Sequence, residues 1–257
     1  MLRKILGGAG VFALTVSLSH ISLAQPNPAP QWSLITFTQI KPEFRMEYEA
    51  TMKEITAAYK KAGVASRIVV QTVLGDLMEY TSIVPLAKYA DMDGPSPLVK
   101  ALGEAGSQRL LKKSGAYLNS VHRVTALAIP DLTIMTPMDN PGEYAAVTTW
   151  KLFPGKAAEF TAFMKDDYLP AMKKADVANF WVSRPIFGGD LDERYTVRPM
   201  HKLAELDGGP LTTKALGAEK ARELNVKMSK IVESTHYSIV RVRPDLSLMP
   251  APPPSTK

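Results

Sequence analysis

The chain carries one stretch of sequence twice, and the spacing between the copies limits what it can fold into. Lys100-Ala101-Leu102-Gly103 recurs as Lys214-Ala215-Leu216-Gly217, and Pro130-Asp131-Leu132-Thr133-Ile134-Met135 recurs as Pro244-Asp245-Leu246-Ser247-Leu248-Met249. Both matches sit at an offset of 114, and holding it from Asp76 to Met135 gives 20 identities in 60 positions. These include Asp76/Asp190, Glu79/Glu193, Lys88/Lys202 and His122/His236. Upstream the offset drifts to 113 and then 112, which still pairs Val64 with Val177 and Met52 with Met164. The 257 residues therefore divide into modules 32–135 and 144–248 joined by a turn-rich linker, 136–143.

Each module reads as the same series of elements. Leu34–Ile40 is rich in β-branched and aromatic residues and predicts a strand. Pro42 opens a helix where its missing N–H is harmless, and Phe44, Tyr48, Met52, Ile55 and Tyr59 form a single apolar stripe that ends at Gly63. Two strands, Arg67–Leu74 and Glu79–Val84, flank the Gly75-Asp76 turn. A second helix is predicted over Pro97–Ser120, with breaks at Gly103, Gly106 and Gly115, before a last strand at Val121–Ile129. The second copy repeats this with Ala145–Leu152, Lys156–Ala175, Phe180–Phe187, Glu193–Arg198, Thr213–Ser234 and Thr235–Val242. Pro170 predicts a kink in its first helix. The order is βαββαβ, in which both helices cover one face of an antiparallel sheet.

One such sheet leaves its other face bare, and two packed together solve that problem. Tandem βαββαβ modules of this size resemble the dimeric α/β-barrel superfamily, which includes antibiotic-biosynthesis-type monooxygenases and NIPSNAP-like proteins. The resemblance covers nearly all of the chain after residue 31 and rests on element order and duplication, without an active-site motif. It implies an α+β fold in which two ferredoxin-like modules pack sheet to sheet as a barrel within one chain. It implies no single reaction, because the superfamily mixes oxygenases, isomerases, haem enzymes and non-catalytic binders.

The ends of the chain read as address and tail. Arg3 and Lys4 precede an apolar run from Ile5 to about Leu18, and Ser22-Leu23-Ala24 offers small residues to a signal peptidase. Residues 1–24 thus predict an export signal cleaved after Ala24, a periplasmic or secreted product, and no stable membrane span after cleavage. An uncleaved anchor is the alternative. Residues 25–31 form a proline-rich leader and 249–257 a proline-rich tail expected to lack order. Cleavage lowers the formal charge of +6 by two, to +4, and with no long basic run the sequence does not point to nucleic acid. Cysteine is absent, which excludes disulfides, thiolate metal sites and cysteine nucleophiles.

No glycine-rich phosphate loop, nucleophile elbow or paired-histidine metal motif is present, and neither a metal nor a cofactor is predicted. Candidate catalytic bases are His201, whose counterpart is Ala87, His236 and Asp167. Strand alternation groups Arg184, Arg194 and Arg198, with Arg241 on the last strand, against Gln71, Tyr80, Val84 and Leu127 in the first copy. If Tyr195, Val197, Trp181 and Phe187 pack under the helices, these arginines point into the barrel. There they would hold a small organic anion, joined by Tyr237, Trp150 and His122. The plain alternative leaves the arginines in water or paired with nearby acids. The sequence thus supports a small-molecule binder, monomeric or homodimeric, or a cofactor-independent oxygenase or isomerase. Its alternatives are a non-catalytic interaction protein with a self-filled barrel and a haem binder using His122 or His236.

Overall fold

A computed structural model describes residues 32–136 and 142–249. The export segment 1–24, the leader 25–31, most of the linker 136–143 and the tail beyond Met249 lie outside the described residues. In the first module the order is β1 (Trp32–Ile40), α1 (Arg45–Lys61), β2 (Ile68–Leu74), β3 (Glu79–Leu86), α2 (Pro97–Gly115) and β4 (Leu118–Ala128). In the second it is β5 (Tyr144–Leu152), α3 (Ala157–Phe163), α4 (Leu169–Lys174), β6 (Trp181–Phe187), β7 (Glu193–Met200), α5 (Leu211–Leu216), α6 (Ala218–Met228) and β8 (Val232–Val242). Among the described residues no helix is long and apolar enough to cross a membrane.

The eight strands close into one antiparallel barrel in the order β1-β3-β2-β8-β5-β7-β6-β4. Each module contributes four adjacent strands, and the halves join where β2 meets β8 and β4 meets β6. Closure leaves no bare sheet face and no pair of open sheet edges. The expected α+β barrel of two βαββαβ modules is therefore the observed fold.

Helix breaks follow local chemistry. Gly103 and Gly217 occupy the same place in the two copies and share an extended, positive-φ geometry (69°, 170° and 82°, 165°), which glycine adopts without a Cβ clash. The break splits the second copy into α5 and α6, whereas Gly106 and Gly115 stay helical. Pro170 cannot donate to the turn before it, and the helix widens there into one π turn, Met164–Tyr168, between α3 and α4.

The repeated Pro-Asp-Leu motif explains why the halves hold together. After β4, the arm 130–135 crosses to the second module, where Ile134 bridges to Phe180. After β8, the arm 244–249 crosses to the first, where Leu248 bridges to Arg67. Leu132 is fully buried with Phe160, Phe163 and Trp150, and Leu246 with Tyr48, Met52 and Val69. Each leucine plugs the other module's helix–sheet layer and adds about 2–3 kcal/mol by burial. Lys165 with Asp131 (2.9 Å) and Lys53 with Asp245 (4.0 Å) repeat the same cross-module pairing at the surface.

Candidate functional site

The barrel lumen is apolar at its centre, where Val70, Ala145 and Val240 pack with Ile68, Val147, Val197 and Val242. The register of β7 decides where the arginines go. Val197 lies opposite Val147 and Tyr195 opposite Thr149, so both face the lumen, whereas Arg194 lies opposite Trp150. Trp150 belongs to the core under α3, with its indole N–H donating to Thr196 Oγ1 at 2.9 Å. Tyr195 and Val197 thus occupy the side expected for the arginines, and Arg194 and Arg198 turn outward. The period-two pattern was right and its phase was inverted. Arg194 is buried and donates to the carbonyls of Leu191 (2.8 Å) and Glu193 (2.6 Å), tying its own hairpin. Arg198 pairs with Glu205 at 3.6 Å, and Arg184 is exposed. The four arginines do not converge in the lumen.

The remaining candidates scatter. His122 and His236 stand on the lumen side at one rim of the barrel, both exposed, with the His122 ring stacked on Phe37 at 6.4 Å. Glu79 lies near His236, and its carboxyl is raised above the ordinary range by burial and by Asp76. His201 is exposed just beyond β7, its backbone N–H donating to Glu205 at 2.7 Å. Asp167 sits on the π turn and is paired with Lys227 at 2.7 Å, and Tyr237 is an exposed side chain on the outer face of β8. Among the described residues no group of three histidines and acids could hold a metal. Neither His122 nor His236 is in the lining of the cavity at the β2–β8 seam.

That cavity, of about 690 Å³, is an open cleft on the outer face of the β2–β8 seam. Its lining comes from both modules: Arg45 and Glu49 on α1, Gln71 on β2, Gly142 and Glu143 before β5, and Arg241 to Asp245 at the end of β8. Gly142 makes the close approach possible, since a Cβ on it (φ 88°) would lie 2.3 Å from the Met200 carbonyl oxygen.

Arg243 is the keystone. Its guanidinium donates two hydrogen bonds of 2.8 Å to Glu49, two of 2.9 and 2.8 Å to Asp245, and one of 2.9 Å to Gln71. Glu49 also accepts from the Tyr80 hydroxyl at 2.5 Å and from Arg45 at 3.3 Å. The hydrogen bonds from Arg243 are the main reason that the Glu49 carboxyl falls to about 2, with Tyr80 and Arg45 adding to them against the cost of burial. A carboxylate held so firmly is a poor proton acceptor at neutral pH, and its role is to fix Arg243. The groups with capacity to spare are Arg45 and Arg241, both about half exposed. Arg45 reaches Gln71 only at 3.4 Å, while Arg241 pairs with Glu143 and lies 5.8 Å from the Tyr144 ring centre.

Of the residues singled out in the sequence, Arg241 alone lines this cleft. The signal for the others was present in the duplication. At the positions of Arg45, Glu49, Arg241 and Arg243 the other copy has Ala157, Thr161, Leu127 and Ile129. Grouping residues by module concealed it, because β8 belongs to the second copy and pairs with the first.

No protein-family model matches the sequence, and no curated protein matches it. Solved structures do. An anthrone oxidase-like protein superposes with a TM-score of 0.60 at 15% identity, over 84% of this chain and 92% of that one. A provisionally assigned monooxygenase from Lactobacillus acidophilus gives 0.55 at 11%, over 85% and 95%. Chlorite dismutase from Candidatus Nitrospira defluvii gives 0.51 at 11%, over 84% and 92%. At these identities the likeness is one of fold, and it agrees with the closed eight-stranded barrel: the chain has the dimeric α/β-barrel fold, with both halves supplied by one polypeptide.

Proposed function

We propose that the protein binds a small organic carboxylate in the cleft at the β2–β8 seam. One observation carries this reading: a cavity of about 690 Å³ is bounded by Arg45 from the first module and Arg241 from the second, around an Arg243–Glu49 clamp that is already fixed. The volume falls in the usual range for small-ligand sites, about 300–1,000 Å³. Planar guanidinium groups suit a carboxylate because each offers two parallel N–H donors. Native mass spectrometry of protein purified from its source tests the reading by identifying the co-purified molecule. Calorimetry with that molecule should then show at least a tenfold loss of affinity in Arg45→Ala and Arg241→Ala. Equal affinity in wild type and both variants would refute the site.

The neighbours named for oxidation chemistry favour an enzymatic form of the same reading, a cofactor-independent oxygenase or isomerase acting on the bound molecule. Oxygen uptake or isomer formation on mixing protein and ligand supports that form, and a ligand recovered unchanged counts against it. The proposed setting is the periplasm or the exterior of the cell, resting on residues 1–24. N-terminal sequencing of the native protein should begin at Gln25.

A further inference from the structure

We propose that the ligand of the seam cleft is an α-amino acid with an apolar side chain, its carboxylate held by Arg45 and Arg241 and its ammonium by Glu143. This rests on the carboxylate reading of the same cleft and narrows it to a zwitterion. The groups converge through the strand register. Gln71 lies directly opposite Arg241 where β2 pairs with β8, and its side-chain carbonyl accepts from Arg45 at 3.4 Å and from Arg243 at 2.9 Å. On the other side of Arg241 lies Tyr144, its partner where β5 pairs with β8, and Glu143 precedes it in the chain. The Glu143 carbonyl accepts from the Val242 backbone N–H at 2.8 Å, and its carboxylate pairs with the Arg241 guanidinium. Arg45, Gln71, Glu143 and Arg241 all line the cavity of about 690 Å³.

Charge in the cleft is balanced. Among the described residues the lining holds three guanidinium groups, from Arg45, Arg241 and Arg243, and three carboxylates, from Glu49, Glu143 and Asp245. Glu49 is taken up by Arg243, Tyr80 and Arg45, and Asp245 accepts from both Nε and Nη2 of Arg243. Glu143 differs. Among the described residues its ion-pair partner is Arg241 alone, and both side chains are about half exposed. An exposed pair of this kind contributes little to stability, so a ligand can part it.

That pair selects the ligand. A plain carboxylate brought to Arg241 arrives beside the Glu143 carboxylate, and the two like charges repel. An amino acid brings its own ammonium, which Glu143 accepts as Arg241 turns to the ligand carboxylate. Each charge then keeps an opposite, hydrogen-bonded partner. Glu143 thus draws in a zwitterion and turns away a simple anion. Because the Glu143 and Arg241 side chains touch, the ligand charges they take must also be neighbours, as they are in an α-amino acid. The hydrocarbon part of the ligand has a wall of its own, since Pro244 and Met249 line the same cavity and both are exposed.

Calorimetry on the full chain at neutral pH tests this with two matched sets: L-leucine, isocaproate and isoamylamine, and L-phenylalanine, hydrocinnamate and phenethylamine. In at least one set the amino acid should bind at least tenfold more tightly than the analogue lacking the ammonium and the one lacking the carboxylate. Glu143→Gln should weaken the amino acid at least fivefold and leave the plain carboxylate equal or tighter. A carboxylate that matches its amino acid in both sets, an amino acid unaffected by Glu143→Gln, or no binding by either amino acid would overturn the proposal. If the plain acids bind as well as the amino acids and lose affinity in Arg45→Ala and Arg241→Ala, the carboxylate site stands without its amino-acid preference. If those two variants change nothing, the site itself is refuted.

Discussion

The two helix–sheet layers share a frame and differ in what fills it. Under α3 and α4 the second module packs Trp150, Phe160, Phe163 and Phe180 around Tyr168, with ring centres 5.6–6.1 Å from Tyr168 for the three contacts Trp150, Phe163 and Phe180. Under α1 the first module places Thr38, Tyr48, Thr51 and Arg67, then Gln71, Tyr80, Glu49 and Arg243 toward the seam. Both layers have an apolar core, but one is dominated by aromatic contacts and the other adds a network of hydrogen bonds and charge at its seam edge. The two layers stand at equivalent places in the duplicated frame, and the first carries more of the buried polar and charged groups. The aromatic one secures the frame.

This contrast can be broken by exchange, and the largest effect is expected in the second module. Phe163→Thr gives that layer the residue found at Thr51 and leaves a cavity. Chemical denaturation should register a loss of about 3–5 kcal/mol. Next come Leu132→Ala and Leu246→Ala, which remove the exchanged plugs. Both leucines are fully buried, and each change should cost about 2–4 kcal/mol. Near-equal losses would support the symmetry of the arms, and a loss in only one would break it.

The frame was legible in the sequence because duplication and apolar period survive any error of phase. The arms were visible too, as Pro-Asp-Leu repeats, although nothing local says that they cross between modules. The site was less legible for two physical reasons. Alternation along β7 fixes which residues share a face, while tertiary pairing with Trp150 and Val147 chooses the face that is buried under helices. Arg241 and Arg243 act beside Gln71 only because β8 pairs with β2, a contact between modules that sequence order does not reveal.

Acid should separate the two layers further. Folding moves the Glu49 carboxyl from an ordinary value of 4.5 to about 2. This contributes stability above pH 4.5, and the contribution fades as the pH falls from about 4.5 toward 2. Glu49→Gln should therefore lose about 1–2 kcal/mol at pH 7, allowing for solvent at the open cleft, and progressively less as the pH falls through about 2. Thr161→Val, at the matching place in the second module, should show no such pH dependence. The smallest change is expected for Thr51→Val, within about 1 kcal/mol of wild type, because the hydroxyl removed there has no hydrogen-bond partner to lose.

A crystal structure of the protein with its co-purified ligand tests most directly whether the polar seam is the occupied site. The carboxylate should lie between Arg45 and Arg241, with the Arg243–Glu49 clamp unmoved behind it. A ligand seated among Trp150, Phe163 and Tyr168 in the second module, or in the barrel lumen beside Val70 and Val240, would contradict it.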